Sequence, residues 1–247
     1  KMIKFFRKIR KNLLMENKTG KYFTYAIGEI VLVVIGILIA LQINNWNQNR
    51  LDKIKSQEYH LRIIEDLDQL NTILSKESKR ALQVQKYLSA SVDILKGKEL
   101  TKKNKDILDL ALNNYFQMVE LQESLGTYEE LKSSGQLGLI YNKDLRKELN
   151  QYIEALGAYS KIITQLTSQV NKTEPIDKYV TLFVAEEFPL DKISLEYDFD
   201  LLKKDNFLIN TLSRYSLHWK AKSFFNNNML KVGESLKKNI LKELSND

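Results

Sequence analysis

Residues 22–43, YFTYAIGEIVLVVIGILIALQI, hold a single charged group, Glu29. At 1.5 Å per residue a helix of this length reaches about 33 Å, enough to cross a hydrocarbon layer of about 30 Å. Tyr22 and Tyr25 stand at one end and Trp46 just past the other. Those are the amphipathic aromatics expected at the two membrane–water interfaces. A cleaved signal sequence would have a shorter apolar core and small residues after it. This run instead passes into Leu41-Gln42-Ile43-Asn44-Asn45-Trp46, so an uncleaved transmembrane helix over 22–46 is expected.

Charge sets the expected orientation. Residues 1–21 carry eight basic side chains (Lys1, Lys4, Arg7, Lys8, Arg10, Lys11, Lys18 and Lys21) against Glu16, a balance of +7. The whole chain is also +7, with 38 basic and 31 acidic residues, so residues 22–247 are neutral. The entire excess therefore sits beside the apolar run. Such a cluster is drawn to anionic lipid headgroups and is retained in the cytoplasm on insertion. No charge follows the run until Arg50. The expectation is a cytoplasmic N-terminus, residues 47–247 in the periplasm, and no nucleic-acid partner despite a pI near 9.2. Ile3, Phe5, Phe6, Ile9, Leu13 and Leu14 alternate with the basic residues at helical spacing, which predicts a helix lying on the membrane surface. Lys1 precedes Met2, which reads as the start of translation.

Glu29 requires an explanation, because a carboxylate at the centre of a bilayer costs about 2.5–3.5 kcal/mol, somewhat less towards the interface. Glu29, Val33, Gly36, Ala40, Ile43 and Asn47 follow four-three spacing, the seam of a left-handed helix pair or bundle. Gly36 and Ala40 form a small-xxx-small pair that permits close backbone approach. The residues leave three roles open for Glu29: a bond within a self-associated seam, an ion- or proton-coupled group, or contact with a different membrane subunit.

Beyond the span the pattern is helical almost throughout, helped by only 2 prolines and 9 glycines. Residues 47–96 contain neither proline nor glycine and predict one long helix ending at Gly97. Its apolar stripe is read as Ile54, Leu61, Ile64, Leu67, Leu70, Ile73, Leu74, Leu82, Leu88, Val92 and Leu95. Further helices are predicted over 103–121, from a Thr127-x-x-Glu130 capping box to Ser133-Ser134-Gly135, and from an Asn142 cap to about 172. Pro175 is expected to open a short helix carrying Tyr179, Leu182 and Phe183. Residues 189–201 read as irregular, and a last helix covers about 205–244 with a weak point at Asn226-Asn227-Asn228. The fold class predicted is all-α: a transmembrane helix continuing into a long stalk helix and an antiparallel helical bundle.

Chemical signatures are lacking. Cysteine is absent, which removes disulfides, thiolate catalysis and cysteine metal sites. His60 and His218 are the only histidines, and neither sits in a zinc-protease or di-iron pattern. No nucleophile elbow, phosphate loop or dinucleotide glycine pattern occurs. Glu65, Asp66 and Asp68, and Asp198 with Asp200, lack calcium-loop spacing and read as solvated. Glu129 and Glu130 are a candidate general acid and base, although a capping role for Glu130 accounts for half of that pair. The glycine-bearing loop 133–140, SSGQLGLI, is the most site-like stretch, and a turn accounts for it. Tyr215, Trp219, Phe224 and Phe225 read as core. The expectation is no enzyme, no cofactor and no metal.

The opening MIKFFRKIRKNLLMENKTGKYFTYAIGEIVLVVIGILIALQINNWN, residues 2–47, resembles that of a large family of uncharacterised membrane proteins from flavobacteria and related Bacteroidota. Its marks are the MIKFFRKIR start, the YAIGEI entry with Glu29 and the ALQINNWN exit. TYEELKSSGQLGLI, residues 127–140, is a weaker second mark. The resemblance implies an inner-membrane protein with a periplasmic helical domain, and no particular activity. It also implies that Glu29, Gly36, Gln42, Asn44, Asn45 and Trp46 belong to one membrane module. Three functions follow as hypotheses: a scaffold that self-associates through its span, a sensory module working through a partner, or a channel-type subunit using Glu29.

Overall fold

The computed structural model describes residues 19–97, 99–171, 174–185 and 193–246, which are mostly helical with one small hairpin and short connecting segments. The fold is all-α, as the residue pattern predicts. Helix α1 is continuous over Thr19–Gly97, 79 residues, and stops at the glycine expected to end it. The chain divides into two compact units, Lys1–Ser56 and Gln57–Asp247, and α1 contributes to both.

The second unit is built on three long helices: α1, α4 (Lys143–Val170) and the C-terminal α7 (Asn206–Asn246). Bonds from Asn71 to Glu234 and from Gln85 to Ser216 show α1 and α7 running antiparallel. Bonds from Asn142 to Glu243 and from Tyr159 to Asn226 show the same for α4 and α7. Buried positions repeat every 3.5 residues on all three. They are Ile63, Leu67, Leu70, Leu74, Ala81, Val84 and Leu88 on α1, and Leu145, Leu149, Tyr152, Leu156, Tyr159 and Ile163 on α4. On α7 they are Leu212, Tyr215, Trp219, Met229, Leu236 and Ile240. A repeat of 3.5 keeps one seam facing its partner, as in coiled coils. The predicted α1 stripe is corrected by this register: Ile54, Leu61, Ile73 and Leu82 are exposed, while Ile63, Ala81 and Val84 are buried.

Two apolar cores lie along the bundle. One gathers Ile63 to Leu74 of α1 with most of α4 and the C-terminal part of α7. The other gathers Ala81 to Leu95 with Leu208 to Trp219 and the shorter elements. Between them the inward heptad positions turn polar: Glu77 on α1, and Lys222 and Asn226 on α7. Lys222 Nζ donates to Glu77 Oε2 at 2.7 Å, with the lysine side chain only 3% exposed. Ser78 Oγ lies 3.0 Å from Ser223 Oγ and 2.9 Å from Asn227 Oδ1. The Tyr159 hydroxyl donates to Asn226 Oδ1 at 2.5 Å. The asparagine run 226–228, expected to weaken the last helix, is thus part of an unbroken α7 because Asn226 and Asn227 are bonded through their side chains.

Several other local expectations are corrected. Helix α2 spans Lys102–Asn114, capped by Thr101, and stops short of 121 because Tyr115 and Met118 turn into the core on a non-helical path. Helix α3 spans Gly126–Ser133 with Leu125 as N-cap, so Thr127 is not a cap and the capping box does not form. The Thr127 amide instead donates to Asp66 Oδ2 of α1 at 2.8 Å. Gly135, at φ +70°, closes α3 where a left-handed residue is required. A 3-10 turn, Leu137–Leu139, leads to α4, whose N-terminus is capped as predicted by Asn142 accepting from the amides of Asp144 and Leu145. The helix after Pro175, α5, is only Glu174–Asp177.

Residues expected to be helical or irregular there form an antiparallel hairpin, β1 (Val180–Ala185) with β2 (Ile193–Tyr197). Its β-branched and aromatic residues fit a pleated ribbon. Asp109 of α2 fastens β2 by accepting from the Tyr197 hydroxyl at 2.8 Å and the Leu195 amide at 3.4 Å. Lys105 bridges Asp109 and the Leu195 carbonyl. Asp198 is exposed, as expected, and also caps the short α6, Phe199–Lys204.

Candidate functional site: an exposed apolar helix face

One helix among the described residues is long and apolar enough to cross a membrane. It is the N-terminal part of α1, with an 18-residue window of mean hydropathy 2.6, none of it buried. Phe23, Ile30, Leu32, Leu38, Ile43 and Trp46 are each more than half exposed. Apolar surface of that extent on a helix is the mark of a membrane or partner site.

The six seam residues lie on this helix, and at 100° per residue Glu29, Val33, Gly36, Ala40, Ile43 and Asn47 fall within about 80° of arc. Ile54 lies on the same line and is exposed. A Cβ added at Gly36 meets nothing within 4 Å, so nothing in the chain's own packing requires a glycine there. Glu29 is half-buried and the other five are exposed. Asn47 Oδ1 accepts from Arg50 at 3.4 Å, and Gln48 donates to Asp52, so the polar end of the line is tied along its own helix. Of the aromatic anchors, Tyr25 and Trp46 are exposed, and Tyr22 is helical in its backbone. Lys21 is also in the helix, whereas Lys4, Arg7, Lys8, Arg10, Lys11 and Lys18 lie outside the described residues, as does the expected surface helix.

In the second unit the site-like sequence stretches become joints. Glu130 is held by Arg62 through both guanidinium arms and by the Tyr59 hydroxyl, which also bonds Gln136 of the glycine loop. The arginine and tyrosine together hold the Glu130 carboxyl below its usual range. Glu129 accepts from Ser124 at 2.7 Å, so the two acids have separate partners and do not act as a pair. Asp68 pairs with Lys237. An open groove between α1 and α7 is lined by Asn71, Ser75, Lys76, Lys79, Leu230 and Glu234, among others.

His60 is buried. His218 is partly buried, and desolvation followed by the charge of Arg214 lowers its pKa. Burial pushes the Tyr152 hydroxyl up to about 12 and raises Tyr159 further, with the Glu77 charge adding to it. Desolvation lowers the Lys222 pKa, partly offset by its bond to Glu77. Among the described residues no group of three or more metal-ligating side chains occurs. Tyr215 and Trp219 are core, as expected, but Phe224 is exposed. The polar layer was missed in the sequence, although its signal is there: Glu77 and Lys222 occupy inward heptad positions. No family model, curated protein or solved structure matches this chain.

Proposed function

We propose that this chain is a membrane-anchored interaction protein that self-associates through the Glu29–Asn47 face of its span and carries its helical bundle in the periplasm of a bacterial inner membrane. One observation carries the reading. Six seam residues share a stripe on a continuous apolar helix, five of them exposed, and among the described residues no contact explains the glycine at 36. Thirteen Ile, Leu, Val and Phe residues between 22 and 43 supply about 4–8 kcal/mol of insertion free energy at about 0.3–0.6 each. That outweighs the cost of about 2.5–3.5 kcal/mol for one central charged group. The span therefore inserts with Glu29 in place, and the seam sets its carboxyl at a helix–helix contact, where polar side chains bond across helices. The eight basic residues before the span place the N-terminus on the cytoplasmic side. Partners on this reading are anionic lipid headgroups and further copies of the chain, and the role is assembly rather than catalysis.

The chain has no cysteine, so single cysteines report contacts without background. Cysteines placed in turn at positions 32 to 43 and oxidised in native membranes should cross-link strongly at 33, 36, 40 and 43. They should cross-link weakly at 34, 38 and 41. Uniform or absent cross-linking along the span would refute the seam.

A further inference from the structure

Residues 115–125 join α2 to α3 on a non-helical path across the polar layer. Met118 packs in one apolar core and Leu125 in the other. Between residues 116 and 124 the only backbone-to-backbone bond among the described residues is Gln117 N to Asn114 O, at 3.4 Å. The carbonyls are satisfied instead by side chains of the long helices. Trp219 Nε1 donates to Tyr115 O at 2.9 Å, Lys222 Nζ to Val119 O at 3.0 Å, and Ser160 Oγ to Leu121 O at 2.7 Å. Glu77 Oε2 accepts a further hydrogen bond from the Lys222 ammonium, which keeps it aimed at the segment.

Helices hold themselves together through their own ladders, but a segment tied by three side-chain donors to its carbonyls, and by Arg80 to the Gln117 side chain at 2.7 Å, does not. When those bonds part, nothing in its own backbone preserves its shape, while α1, α4 and α7 keep their mutual contacts. We propose that residues 115–125 form a strap that opens as a unit while the bundle stays folded, with Trp219, Lys222 and Ser160 as its latch. Sub-global opening proceeds in contiguous cooperative units, and this segment is one with almost no backbone ladder of its own. The strap's opening withdraws Met118 from its core and exposes the polar layer, giving the bundle a second conformation without unfolding.

Two methionines make this testable. Met118 sits in the strap and Met229 in α7, and both are buried, at 3% and 6% exposure. Dilute hydrogen peroxide transfers an oxygen atom to an exposed thioether sulfur, giving the sulfoxide and water. The full chain in detergent micelles is exposed to peroxide and each methionine peptide is followed by mass spectrometry. The strap predicts that Met118 oxidises about tenfold or more faster than Met229 in the wild type. Ser160→Ala removes one latch bond and should raise the Met118 rate by about 2–10-fold. The pair Glu77→Met with Lys222→Met should raise it as well, and in both variants Met229 should stay unchanged. Equal rates for the two methionines throughout, or rates that rise together in the variants, would overturn the strap.

Discussion

A methyl group added at Gly233 would stand 2.9 Å from Asn71 Oδ1 and 3.2 Å from the Tyr152 hydroxyl, whereas one added at Gly36 would meet nothing. The first glycine lets α7 approach α1 and α4, so Gly233→Ala should destabilise the bundle by about 1–3 kcal/mol in denaturant titration. Gly36→Ala should leave bundle stability unchanged, since among the described residues an added methyl there meets nothing within 4 Å. His218 gives a pH signature. Its folded pKa lies below the ordinary 6.5, so the fold favours the neutral ring and the unfolded chain binds more protons in between. The His218 contribution is therefore complete above about 6.5 and is lost as pH falls through that value towards the folded pKa. Replacing His218 by Asn should flatten stability measured between about pH 7.5 and 5 relative to the wild type. An unchanged slope would mean that other groups carry the acid dependence.

Elements with long, uninterrupted periodicity were legible in the sequence, and short ones were not. Gly97 and Asn142 mark the ends of α1 and α4 because a missing side chain and an amide cap act locally. Asn142→Ala should cost about 1 kcal/mol by removing the acceptor for two amides. The end of α2 and the hairpin follow from tertiary contacts that no local window contains. At 115–125 the competing donors are on α4 and α7, and for β2 the anchor is Asp109, more than 80 residues earlier. Asp109→Ala leaves Lys105 and the Tyr197 hydroxyl without their shared acceptor. It should release the hairpin, seen as faster amide exchange over 193–197 and little change in α4. Thr127 and Glu130 have capping-box spacing, but Asp66 and Arg62 of α1 supply closer partners.

At the scale of the whole molecule, one helix carries two kinds of surface. Over residues 63–88 its heptad positions are covered by α4 and α7, and Glu77 is matched by Lys222. Lys222→Met alone strands a buried carboxylate and should cost about 3–5 kcal/mol, while adding Glu77→Met should restore most of that loss. Over residues 33–47 the same spacing recurs on an exposed face, and the seam is an expectation readable in the sequence because its periodicity, small residues and lone carboxylate sit in one window. What the sequence did not carry is the register of the bundle core, where several stripes were compatible until the other helices chose between them. We propose that this seam is closed by further copies of the chain. It is tested most directly by the mass of the detergent-solubilised protein, from light scattering or native mass spectrometry, beside Glu29→Ala and Gly36→Leu. A defined wild-type oligomer that dissociates to monomer in both variants is the predicted result. A wild-type monomer, or an oligomer indifferent to both substitutions, would contradict it.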